Sequence, residues 1–148
     1  MIYADNAATS PLSPTAFEKM KPLMLVEFGN ASQLYSFSRN PRALLQEARE
    51  IIAGCIHAEP EEIFFTSGGS ESDNWAVKGL LEKDDYRQTV TSSFEHHAIL
   101  HSCETIERLG FPVSYVSPDH SGHVTVDALA RVLTKKTKLV SIMMSNNE

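Results

Sequence analysis

From Glu61 onward the sequence alternates short apolar runs with segments of helical periodicity, and this order constrains the fold more than any other feature. The apolar runs are 63–66, 89–92, 113–116 and 139–143, and the helical patterns between them are 70–81, 98–109 and 126–133. Strands that are apolar throughout, instead of alternating with polar residues, are buried on both faces of a sheet. Because helices separate these strands, the order predicts βαβ units in an α/β domain with three α/β/α layers.

The first 60 residues carry helical patterns without such apolar runs. Ser13 followed by Pro14 is typical of a helix start, and Pro22 would kink that helix. A second helix is predicted to open at Asn40-Pro41, and its apolar face consists of Leu44, Leu45, Ala48, Ile51, Ile52, Cys55 and Ile56. We therefore expect an N-terminal helical arm over residues 1–60 and the βαβ units over residues 61–148.

Charge and hydropathy narrow the class of partner. The formal net charge is -6 and no Lys/Arg cluster occurs, which argues against a nucleic-acid or anionic membrane surface as partner. No apolar run approaches the roughly 18 residues of a membrane-spanning helix, and no secretory signal begins the chain, so we expect a cytoplasmic protein. Cys55 and Cys103 have apolar neighbours in helical patterns, which predicts buried thiols without a disulfide.

The last predicted strand ends only a few residues before Glu148, and no helix follows it. A parallel strand without its crossover leaves part of one sheet face uncovered. We expect the remainder of the domain to come from further polypeptide.

A glycine-containing turn, Ser67-Gly68-Gly69-Ser70, connects the first predicted strand to a helix. Glycines let the backbone approach a ligand, and the unpaired N–H groups and dipole of a helix start favour an anion such as phosphate. The segment matches neither dinucleotide nor P-loop signatures. A simpler interpretation is that Ser70 caps the helix together with Asp73 in a capping box.

Two histidines, His96 and His97, follow the second predicted strand, where α/β sheets collect ligands. A histidine ring there can stack on a planar cofactor and move a proton, although its position alone favours a cap on the next helix. His97 and His101 would share a helix face, but with Cys103 they form no recognised zinc pattern, so we predict no metal site. The polar end Asn146-Asn147-Glu148 could offer an amide to a ring substituent or form an ordinary turn.

Taken in order, these segments resemble the cysteine desulfurase family, within the fold-type I, class V aminotransferase-like pyridoxal-phosphate enzymes. The resemblance implies that the chain is part of the large cofactor-binding domain and that the cofactor is pyridoxal 5'-phosphate. It implies that Gly69 and Ser70 bind the phosphate, that His96 stacks on the pyridine ring and handles protons, and that Asn147 contacts the cofactor or substrate near O3'. The segments that carry it are 3–9, 28–32, 65–74, 95–98, 140–143 and 146–148.

In such enzymes L-cysteine yields alanine and a persulfide that feeds iron–sulfur or other sulfur-using pathways, and the active unit is a homodimer that can pass sulfur to an acceptor protein. The family places its Schiff-base lysine and persulfide-forming cysteine beyond the position of Glu148, so the chain alone is expected to be inactive. Two alternatives remain: a non-catalytic binding module, or a related lyase acting on selenocysteine or another amino acid.

Four positions depart from the family pattern. Ser70 replaces a more common Thr and keeps the hydroxyl. Tyr35 replaces a His, Ser38 replaces a Gly, and Met144 replaces a His, and these three bear on loop geometry and substrate preference.

Overall fold

The structure is a computed structural model that describes residues 2–6, 8–82 and 85–146. The chain divides into two units, Met1–Phe65 and Thr66–Glu148. The first is helical, and the second contains a parallel sheet with helices between its strands. The α/β class predicted from the order of elements is confirmed. In the described part of the chain, no helix combines the length and apolar character that crossing a membrane requires.

The first unit contains two helices whose starts follow the predicted signals. Helix α1 is Pro14–Leu25, with Pro14 as its first residue and Pro22 inside it. Ser13 precedes it, but its side chain makes no capping hydrogen bond. Helix α2 is Arg39–Ile56, and His57 ends it in the left-handed conformation with φ of 56°. Short 3₁₀ turns flank α2 at Ser36–Ser38 and Pro60–Glu62.

The predicted apolar face of α2 is present in the sequence but largely uncovered. Ala53 is the buried residue of this helix, whereas Ile51 and Ile56 are mostly exposed. Cys55 is exposed as well, so its predicted burial is wrong. Periodicity identifies the side of a helix that can be buried, but burial itself needs a packing partner.

The second unit is built on three parallel strands, β1 (Gln88–Ser92), β2 (Val113–Val116) and β3 (Thr137–Ser141). Their order is β2-β1-β3, so β1 is central. Thr91 aligns with Tyr115 on one side and Ser141 on the other. Because both pairings are parallel, the carboxyl ends of the three strands meet at one edge of the sheet.

Three helices accompany this sheet: α3 (Gly69–Lys78), α4 (His97–Arg108) and α5 (Val126–Val132). Gly110, at φ of +90°, follows the end of α4 as predicted. Helix α3 ends three residues before the predicted Leu81 because Gly79 closes it. The core of this unit consists of Val77, Ile99, Cys103 and Ile106, so the predicted burial of Cys103 is confirmed.

The strand predicted at residues 63–66 is wrong. These residues form no strand, and within the described residues the sheet contains β1, β2 and β3 alone. The carbonyl of Ile63 instead accepts a hydrogen bond from Arg49 Nε at 3.2 Å. An apolar run favours extended backbone, but a strand also needs a neighbour that pairs with its N–H and C=O groups.

Candidate functional site

The glycine turn leads directly into α3. Gly68 is the N-cap residue, and Gly69 and Ser70 are the first two residues of the helix, all exposed. A Cβ placed on Gly68 or Gly69 would meet no atom within 4 Å, so open space lies over this backbone. The first N–H groups of a helix have no acceptor within the helix. The start of α3 therefore presents donors and free space for an anion.

The carboxylate of Glu71 is hydrogen-bonded to the backbone of this turn. Glu71 Oε2 accepts the Ser67 N–H at 2.6 Å, and this backbone hydrogen bond lowers the pKa of Glu71 below its usual range. The hydroxyls of Thr66 and Ser72 are hydrogen-bonded at 2.7 Å and brace the other side of the turn. Ser70 is not the N-cap, so the predicted capping box of Ser70 with Asp73 is wrong.

His96 is the N-cap residue of α4, and it lies just beyond the carboxyl end of β1. Its Nδ1 accepts the Ala98 N–H at 3.1 Å, which confirms the capping interpretation. Because Nδ1 is an acceptor, the proton of the neutral ring is on Nε2. His96 is exposed, so capping leaves its ring accessible. Within the described residues, no hydrogen bond joins His96 to Gly69 or Ser70. The helices that these residues begin, α4 and α3, pack against each other.

Sequence reasoning gave no role to Glu95, which the structure buries beside His96 at 6% exposure. Its Oε1 accepts the Ser92 hydroxyl at 2.6 Å and the Met143 N–H at 2.9 Å. A carboxylate and a serine three residues apart at a strand end are a weak sequence signal. The bond to Met143 spans 48 positions, and no local pattern could have revealed it.

The end of β3 leads to the polar segment that was predicted to offer an amide to a ring substituent. Asn146 Nδ2 donates to the Phe94 carbonyl at 2.6 Å, which links this segment to the turn before His96. Asn147, the predicted cofactor contact, lies outside the described residues. A cleft of about 470 Å³ opens here, between this segment and the loop after β2, with Phe94, His123 and Asn146 in its lining.

His97 and His101 share one face of α4, as their spacing predicts. Their rings stack with centroids 5.4 Å apart and an interplanar angle of 27°. Cys103 is in the core and does not join them. Among the residues that the structure describes, no group of three or more His, Cys, Asp or Glu side chains could hold a metal ion.

Comparison with known proteins identifies the family. The model of the class-V aminotransferases matches residues 2–148. The chain belongs to the class-V aminotransferase family. It is 44% identical over 149 residues to the cysteine desulfurase IscS of Clostridium botulinum, an alignment that covers 99% of this chain and 38% of that protein.

Two solved structures resemble this class-V aminotransferase chain closely. A NifS-like protein matches with a TM-score of 0.92 and 34% identity, over 97% of this chain and 40% of that one. SspA, solved in complex with cysteine, matches with a TM-score of 0.90 and 37% identity, over 95% of this chain and 41% of that one. The chain thus spans about two fifths of the length of the relatives it matches.

The positions that depart from the cysteine desulfurase pattern occupy different environments in this class-V aminotransferase chain. Ser38 is fully buried, and its hydroxyl has no hydrogen-bond partner within the described residues. Tyr35 and Met144 are exposed. Ser70 is exposed in the first turn of α3.

Proposed function

We propose that this chain forms the phosphate-binding and ring-contacting part of a pyridoxal-phosphate enzyme that removes sulfur from L-cysteine. The placement of His96 carries the proposal. This exposed ring follows the central strand of a parallel sheet, at the edge where α/β proteins bind ligands. The 44% identity to a cysteine desulfurase supports the substrate.

The start of α3 has the donor set that the cofactor phosphate needs. The N–H groups of Gly69 and Ser70 and the Ser70 hydroxyl would hold the phosphate, and the open space over Gly68 and Gly69 lets it approach the backbone. When bound, pyridoxal phosphate supplies an electron sink for negative charge on the substrate Cα. Asn147 would add a polar contact near O3'.

His96 would contact the planar ring and move a proton at Nε2. The Ala98 N–H occupies Nδ1, so the neutral imidazole holds its proton at Nε2 and can donate a hydrogen bond from there. To take up a proton at Nε2 as a neutral base, the ring would have to change tautomer and lose the cap on α4. With the cap in place, His96 is a hydrogen-bond donor at Nε2, and a proton transfer at Nε2 in either direction requires release of the cap.

The overall reaction breaks the C–S bond of cysteine and passes the sulfur to a thiol, giving alanine and a persulfide. Burial raises the pKa of the Cys103 thiol to about 11, which makes it a poor sulfur acceptor. We propose that polypeptide beyond Glu148 supplies the acceptor cysteine and the Schiff-base lysine, that the complete enzyme is a cytoplasmic homodimer, and that this chain alone is inactive.

The test of His96 uses its neighbour as a matched control, in the complete enzyme of which this chain would be the N-terminal part. His96→Ala should lower alanine formation from L-cysteine about 100-fold or more, the usual contribution of a proton-transfer group. His97→Ala removes an identical side chain one position along and should keep nearly the wild-type rate. Retained turnover in His96→Ala would contradict the role given to His96.

The phosphate site is tested by cofactor affinity. Ser70→Ala should weaken pyridoxal-phosphate binding about tenfold, because it removes a hydrogen bond to a charged group. Thr105→Ala removes a hydroxyl on α4 that donates to the His101 carbonyl and lies outside the glycine turn, so it serves as the control, with affinity close to wild type. Equal affinity in Ser70→Ala and wild type would place the phosphate elsewhere.

A further inference from the structure

The carboxylate of Glu95 lies buried at the carboxyl end of β1. Burying a carboxylate is costly unless hydrogen bonds compensate for the lost water. Glu95 Oε1 has two such donors, the Ser92 hydroxyl and the Met143 N–H, at 2.6 and 2.9 Å. The first is on β1 itself and the second follows β3, so the carboxylate joins the two strand ends.

Two further side-chain bonds accompany it. Thr91 Oγ1 donates to the Ser141 carbonyl at 2.9 Å, at the last aligned pair of β1 and β3. Asn146 Nδ2 donates to the Phe94 carbonyl at 2.6 Å. Backbone pairing of these strands ends at Thr91 and Ser141, and beyond it the bonds of Glu95 and Asn146 keep the two chain segments together.

His96 comes directly after Glu95, and Asn146 comes directly before Asn147. The planar peptide bond transmits any shift of Glu95 to the backbone of His96. A misplacement of about 1 Å at a reacting group can lower a rate about 100-fold. A small shift of Glu95 would therefore displace His96 and lower the reaction rate.

We propose that Glu95 is a positioning residue that holds His96 and the segment after β3 in their relative places. This inference rests on the proposed function for its catalytic consequence, but not for its structural one. Glu95 acts through the reach of its Oε1 acceptor to Ser92 and Met143, and its negative charge is not the essential property.

Three substitutions separate reach from charge. Glu95→Ala removes the acceptor, Glu95→Asp keeps the charge but withdraws it by one methylene, and Glu95→Gln keeps an oxygen at the same reach without the charge. Positioning by reach predicts that Glu95→Gln behaves nearly as wild type, while Glu95→Ala and Glu95→Asp are impaired. A role for the charge predicts that Glu95→Asp retains more of the wild-type behaviour than Glu95→Gln.

Gln88 offers a matched control at the opposite end of the same strands. Its Oε1 accepts the Thr137 hydroxyl at 2.6 Å, and its Nε2 donates to Ser114 Oγ at 2.7 Å. Gln88→Ala therefore also breaks side-chain bonds between strands, but it does so away from His96. A general loss of stability should appear in both Gln88→Ala and Glu95→Ala.

The first measurement is hydrogen exchange of the Ala98 amide in the complete enzyme, because this amide donates to His96 Nδ1. We expect exchange about tenfold faster in Glu95→Ala and Glu95→Asp, and unchanged exchange in Glu95→Gln and Gln88→Ala. Unchanged exchange in all the Glu95 variants would overturn the proposal, whether or not the enzyme desulfurates cysteine.

The second measurement is turnover of L-cysteine together with pyridoxal-phosphate affinity. Glu95→Ala should lose about 100-fold in kcat and bind the cofactor more weakly, whereas Glu95→Gln should recover both and Gln88→Ala should keep both. Equal losses in Gln88→Ala and Glu95→Ala would reduce Glu95 to a purely stabilising residue and overturn the proposal. A wild-type enzyme without cofactor binding or turnover would refute the proposed function, while the exchange measurement would still decide on Glu95.

Discussion

At the scale of single residues, burial gives chemically identical side chains different properties. Cys55 and Cys103 both occupy helical patterns with apolar neighbours, yet one thiol is exposed and the other is in the core. For Cys103, desolvation is the main cause that raises the pKa to about 11, and the nearby Glu107 and Glu95 add to it. The Cys103 thiol therefore stays protonated at neutral pH.

This difference predicts selective alkylation. Under native conditions at pH 8, iodoacetamide should modify Cys55 and leave Cys103 intact, because the thiolate is the reactive form and Cys103 is also inaccessible. Intact mass and peptide mapping would measure the adducts. Cys55→Ser should abolish labelling of the native chain, and unfolding in denaturant should restore labelling of Cys103. Labelling of Cys103 in the native chain would contradict its burial.

Some residues of the candidate site could be predicted from the sequence, and others could not. The glycine turn and His96 could be selected because turn chemistry and placement after a strand are local properties. For His96 the sequence left two roles open, helix cap and cofactor contact, and the tertiary structure shows the capping bond. The role of Glu95 could not be predicted, because its hydrogen-bond partner Met143 is remote in the sequence.

At the scale of elements, the residue that follows the last turn determines where a helix ends. The apolar pattern of α3 continues to Leu81, but the helix ends at Lys78 and Gly79 closes it. A Cβ on Gly79 would lie 2.5 Å from the Trp75 carbonyl oxygen, so the closing turn has no room for a side chain. Gly54, within α2, has no atom within 4 Å of such a Cβ.

The two glycines predict opposite effects of the same substitution. Gly79→Ala should lower the free energy of unfolding by about 1–3 kcal/mol, because the new methyl group meets backbone that cannot move cheaply. Gly54→Ala should raise it by about 0.5–1 kcal/mol, because alanine is the better helix former and the space is open. Denaturant unfolding followed by circular dichroism would measure both. A stabilising Gly79→Ala would show that the turn can relax.

At the scale of the whole molecule, the first unit exposes many large apolar side chains. Within its described residues, Ser38 and Ala53 are the buried ones. By contrast, nine of its described large apolar residues are each more than 60% exposed: Ile2, Met24, Leu25, Val26, Phe28, Leu34, Ile51, Ile56 and Phe64. Exposed apolar surface of this kind favours association.

We therefore expect the 148-residue chain to self-associate at micromolar concentrations. Sedimentation velocity over a concentration series would detect it as a rising average mass. Ile51→Glu should reduce the association, because it places a charge on the apolar face of α2. Val126→Glu, at a residue 82% exposed on α5, introduces the same charge in the other unit and should have little effect. A wild-type chain that stays monomeric throughout would contradict this expectation.

Local sequence patterns were enough to predict the order of strands and helices along the chain after residue 66, the α/β class, and the positions of the glycine turn and of His96. These depend on periodicity and turn chemistry, which act over a few residues. Three features became visible in the folded chain alone: residues 63–66 form no strand, Cys55 is exposed, and Glu95 and Asn146 join the ends of β1 and β3. Each of these depends on a partner far away in the sequence or on the absence of one within the described residues, and no local pattern encodes which partner that is.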